Sequence, residues 1–148
     1  MSKKFFLAGL MITFAAFFFA LAMTDFSIMH MQWDRPNWLY KYWISLGLVV
    51  TVFAFTLSYA IWTAGFPNRY AYATFLTIIL LYAAGLLDLF YYMLATFHGE
   101  SYSFQYWSAQ WKWFVENGVL PTWDWPRQIV WTLGCLIAIV LIWKRTLK

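Results

Sequence analysis

Apolar residues fall in four long runs, at 5–24, 43–64, 70–97 and 128–143, and the polar residues gather between them. No run shows the strict alternation of a half-buried strand. Their lengths suit helices that cross the ~30 Å hydrocarbon layer at 1.5 Å per residue. The pattern predicts an all-α integral membrane four-helix bundle, one domain over residues 1–148. The fourth run is short: sixteen uncharged residues reach only ~24 Å, a deficit that snorkelling by Arg127 and Lys144 makes up.

The polar segments refine this picture. Gly65-Phe66-Pro67-Asn68-Arg69 is short enough to make the second and third spans a tight hairpin. Three phenylalanines at 17–19 wrap the first span, so part of it faces lipid or protein. The longer segments, about 25–42 and 98–127, are rich in aromatics. Phe104, Trp107, Trp111 and Phe114 recur at three- and four-residue spacing, which predicts an amphipathic helix over about 103–116 with one aromatic face. Such a helix lies in the interface plane. Trp33 and Trp38 give the other segment a similar character. Two readings fit these side chains: an aromatic belt at headgroup depth, and an interface for another membrane subunit.

Composition agrees with the membrane setting. The chain is 64% hydrophobic and 11% charged, against roughly 45–50% and ~25% in soluble domains. Charge sets the expected orientation. Lys3, Lys4, Arg69, Lys144, Arg145 and Lys148 fall on one side with no acid, whereas Arg35, Lys41, Lys112 and Arg127 share the other with Asp25, Asp34, Glu100, Glu116 and Asp124. The positive-inside rule places both termini in the cytoplasm. The first run exceeds the 7–15 residues of a signal-peptide core, so it is expected to be retained as a span. The net charge of +4 comes from residues that cap spans rather than from a basic face, which argues against nucleic acid as a partner.

Asp88 is the one ionisable residue inside the four runs. An acid at that depth is costly unless protonated, partnered or wet, which makes it a functional candidate by default. On a continuous helix its neighbours are Ala84, Gly85, Tyr91, Tyr92 and, further on, Ala95. Small residues there suggest a helix contact. Asp88, Tyr91 and Tyr92 are therefore the ligand or proton candidates, against a structural alternative in which a neutral Asp88 makes one interhelical hydrogen bond. His30, His98 and Glu100 form a weak metal set on the outer side, lacking any i, i+4 ligand pair. Cys135, the single cysteine, excludes an intrachain disulfide.

No phosphate loop, nucleophile elbow or histidine box is present. The four short spans with outer acids are similar to the small sterol-isomerase-like bundles. Those use several intramembrane acids or a His–Glu pair, so with Asp88 alone nothing of their function carries over. The expectation is a non-catalytic accessory subunit of a larger respiratory, photosynthetic or monooxygenase-type complex, without a cofactor, whose partners are the lipid bilayer and other membrane subunits. The alternative is a stand-alone protein that binds or converts an apolar ligand, with Asp88 as anchor or acid.

Overall fold

A computed structural model describes residues 3–31, 36–99, 118 and 125–148, with side chains from 5–27, 44–99, 118 and 126–148. The elements described are helices: α1 (Lys3–Met31), α2 (Pro36–Thr63), α3 (Asn68–Ala83), α4 (Leu86–Phe97) and α5 (Trp125–Thr146). In lipid the backbone has no water to bond, so an apolar run satisfies its own N–H and C=O groups by coiling. Most hydroxyls in these helices are absorbed the same way, each donating to the carbonyl four residues back, as from Thr13 to Gly9, Thr51 to Gly47 and Thr96 to Tyr92.

Three stretches, Phe5–Ser27, Ile44–Thr63 and Pro126–Thr146, are long and apolar enough to cross a membrane. The pair α3 and α4 makes a fourth if its two bent halves count as one span. These helices mark a membrane protein. The fourth run is less short than its uncharged residues suggest. Pro126 is accommodated in the first turn of α5, where a missing N–H costs nothing, and the stretch reaches 21 residues.

The turn between α2 and α3 is a Schellman motif. The Gly65 N–H donates to Trp62 O at 3.1 Å and the Phe66 N–H to Ile61 O at 3.3 Å. Gly65 takes φ 84°, which a Cβ would oppose. The hairpin expected from the sequence is present, with α2 and α3 packed along their lengths.

The run at 70–97 departs from the continuous helix expected. It breaks at Ala84-Gly85, where α3 and α4 meet at 49°. Gly85 adopts φ 80°, ψ 26°. It ends α3 by donating to Tyr82 O at 3.0 Å and opens α4 by accepting from the Leu89 N–H at 2.9 Å. An alanine in this left-handed conformation carries roughly 1–2 kcal/mol of strain. Gly85→Ala is therefore expected to lower stability in detergent by about that amount, measured as thermal unfolding. An unchanged midpoint would show that the bend does not need glycine.

Packing links the helices through one buried stripe. Phe6, Leu10, Phe14, Phe18 and Ala22 follow one another at four-residue spacing on α1, and Leu46, Val50 and Ala54 do so on α2. The three phenylalanines of α1 divide as their positions require. Phe18 is fully buried, Phe17 stacks on Phe53 of α2 at 3.7 Å, and Phe19 is exposed beside Phe90 of α4. The pairing of Phe19 with Phe90 and of Phe26 with His98 shows that α1 and α4 run in the same direction. At the opposite end Phe6, Phe66, Tyr70 and Trp143 form an aromatic cluster, with Phe6 and Phe66 stacked at 4.7 Å. Trp143 donates its indole N–H to Thr77 Oγ1 at 2.9 Å. This cluster ties α1, the α2–α3 turn, α3 and α5 together.

Candidate functional site

The helix break creates the local chemistry. Ending α3 at Ala83 frees carbonyls that the ladder no longer serves, and such groups cannot stay bare in an apolar interior. Side chains from α5 reach them. Gln128, fully buried, donates Nε2 to Ala84 O at 3.0 Å. Thr132 donates its hydroxyl to the same oxygen at 2.8 Å, and the Trp131 indole N–H donates to Ala83 O at 2.8 Å. Gln128 also donates to Thr132 Oγ1 at 3.2 Å. The α5 segment at 128–132 is thus a polar brace on the bend.

Just beyond it stands Asp88, in the first turn of α4. The break gives this carboxylate a setting that a continuous helix would not. A helix N-terminus exposes unpaired N–H groups and the positive end of the macrodipole, both favourable to an acid.

A second acid joins it. The sequence reading ends the first span at residue 24 and leaves Asp25 outside, which makes Asp88 solitary. That is corrected here: α1 continues to Met31, and Asp25 is only 6% exposed. It extends the stripe of Phe14, Phe18 and Ala22 by one further turn, on the face packed against α4. Asp25 and Asp88 therefore lie on two helices that pack against each other, α1 and α4. Tyr82, at the end of α3, sets its hydroxyl oxygen 3.6 Å from the place a Cβ on Gly47 would occupy. At that distance a Cβ on Gly47 would make ordinary van der Waals contact with the ring, so Tyr82 lies against α2 at this point. Tyr82 on α3 thus meets α2 at Gly47, while Asp25 on α1 and Asp88 on α4 belong to the neighbouring packed pair.

Tyr91 and Tyr92, both half-buried, lie one turn beyond Asp88 with their rings 5.4 Å apart. Tyr91 meets Phe26 edge-on at 5.6 Å, so it stands beside the residue that follows Asp25. Asp88 and Tyr91 thus share the α1–α4 side with Asp25. His98 closes α4 and stacks on Phe26 at 5.1 Å. Gly99 follows it at φ 77°, ending the helix by donating to Thr96 O at 3.1 Å. Ala84 and Ala95, expected beside Asp88, are buried, though Ala84 belongs to the break rather than to Asp88's own helix.

Other expectations lie outside the described residues: the helix over 103–116 with Phe104, Trp107, Trp111 and Phe114, and also Trp33 and Glu100. Trp38 and His30 lie in described helices, but their side chains are outside the described set. Among the described residues, no three His, Cys, Asp or Glu side chains come together as a metal site.

Sequence reasoning places Asp25 among the outer acids and gives Gln128 no role. The available signal for Asp25 was the four-residue stripe on α1, which continues into it. For Gln128 it was a lone amide at the start of an otherwise apolar segment. Neither protein-family models, nor curated proteins, nor solved structures match this chain.

Proposed function

We propose that this chain is a small multi-pass membrane protein that holds one positive charge, a proton or a cationic group of an apolar ligand, between Asp25 and Asp88. The observation that carries the reading is a pair of carboxylates on two packed membrane helices, buried Asp25 on α1 and Asp88 in the first turn of α4 beside the break. Two carboxylates on packed helices in a water-poor region favour holding a proton or a cation over ionising together. Tyr82 supplies a neutral hydroxyl able to donate to a carboxylate or accept from a ligand. The bend supplies the helix terminus, and the α5 brace keeps it in place. Infrared spectroscopy of the reconstituted protein tests it. A protonated-carboxyl band, or one lost on adding a lipophilic amine, is expected in the wild type and altered in both Asp25→Asn and Asp88→Asn. A spectrum indifferent to either substitution would remove the site.

The supporting topology is four crossings with both termini cytoplasmic. Three arguments favour it: the α2–α3 hairpin, the parallel course of α1 and α4, and the basic residues at 3, 4, 69, 144, 145 and 148. In this arrangement α3 and α4 form one bent span.

A second reading, as an accessory subunit of a larger membrane complex, is favoured by α5. Among the described residues its packing is mainly against α3, and Val130, Leu133, Ile137, Val140 and Leu141 are all more than half exposed. Native mass after mild extraction from the source membrane discriminates the two. A heterologous assembly is the result expected of a subunit, and a particle of one chain, 17.6 kDa plus lipid, would oppose it.

A further inference from the structure

A groove of about 640 Å³ runs between α3 and α5, away from the carboxylates. Leu80, Val130, Trp131, Gly134 and Ala138 line its length, and Arg127 stands at one end. Three features shape it. Trp131 is held as a fixed wall by its bond to Ala83 O. Gly134 leaves the floor open, since a Cβ there would meet nothing within 4 Å. The apolar stretch of α5 begins at Pro126, so Arg127 lies at its very edge, where a basic side chain reaches the headgroup layer.

We propose that this groove seats an acyl chain of an anionic phospholipid, with the lipid phosphate at the Arg127 guanidinium. The trench has no hydrogen-bonding need that an acyl chain would leave unmet, because the polar atoms on its α5 wall already serve the helix break. Its volume falls within the ~300–1,000 Å³ of ligand-sized clefts. The charge at its end is complementary to phosphate. Arginine presents five donors in a planar fork, so it can take a phosphate oxygen alongside its other contacts.

The test is native mass spectrometry of the full chain in detergent, titrated with phosphatidylglycerol and phosphatidylcholine of identical acyl chains. One equivalent of phosphatidylglycerol is expected to bind about fivefold more tightly, the worth of one basic residue against an anionic lipid. Arg127→Gln should abolish that preference while leaving weak binding of both lipids. Gly134→Leu has open space to fill, so the fold should survive, and binding of both lipids should fall. Thermal unfolding of each variant verifies the fold. Equal binding of the two lipids, or full phosphatidylglycerol binding in both variants, would overturn the proposal. So would Gly134→Leu dissociating a second protein chain with no change in lipid, since the groove would then belong to a helix.

Discussion

Replacing Gln128 with leucine and Thr132 with valine together is expected to cost about 2 kcal/mol and to release the bend between α3 and α4. The two side chains make the 3.0 Å and 2.8 Å bonds to Ala84 O, and they also bond each other. Hydrogen bonds in membrane interiors average ~0.6 kcal/mol and reach ~1.7. Ordinarily such a loss is softened because the freed group finds another partner. Ala84 O has little such freedom: Ala84 is buried, and Gly85 turns the chain away from the α3 ladder. The double substitution should therefore exceed the sum of the single ones, since either side chain alone can still serve the oxygen. Unfolding in mixed detergent micelles gives the stability, and amide exchange at residues 85–89 gives the local opening. A loss below about 0.5 kcal/mol, with exchange unchanged, would mean that the bend is held by the backbone alone.

Asp88→Asn is expected to leave the fold intact and remove the capacity of the site to hold a positive charge. The amide has nearly the same volume and keeps a hydrogen-bonding oxygen, and no charge is left to be desolvated. Asp88→Leu keeps the volume but no polar atom, and should cost ~1 kcal/mol, about one membrane hydrogen bond. The contrast between the two separates the structural part of Asp88 from the chemical part. A lipophilic amine that stabilises the wild type should no longer raise the unfolding temperature of either variant. Equal stabilisation of wild type and Asp88→Asn would exclude Asp88 from binding. Collapse of the Asn variant would instead make the residue a folding determinant.

The helices, the hairpin and the prominence of Asp88 were legible because they depend on run length, on Gly-Pro chemistry and on the cost of a buried acid. The facing of the helices was not. Residues 5–23 of α1 are apolar on nearly every side, so nothing in the residue pattern picks Phe6, Leu10, Phe14 and Phe18 over Phe5, Met11 and Ile12 as the buried set. Packing against α2 and α4 decides it. The place of Asp25 is hidden for a related reason: the apolar run ends before the helix does, and α1 continues for another turn and more with its stripe in register. The break at Gly85 was hidden because an isolated glycine in a helical run is usually tolerated. What turns it into a hinge is the set of α5 donors more than forty residues away, a long-range partnership with no local signature.

The central claim is that Asp25 and Asp88 act as one site, and a double-mutant cycle reads this directly. Stabilities of the wild type, Asp25→Asn, Asp88→Asn and the double variant are measured under one set of conditions in the same bilayer mimic. Interacting groups couple by roughly 0.5–3 kcal/mol, and independent ones add to within about 0.3–0.5 kcal/mol. The account predicts a coupling of at least ~1 kcal/mol, with the second substitution changing far less in the presence of the first than alone. Strict additivity would contradict it, leaving two separate acids on neighbouring helices.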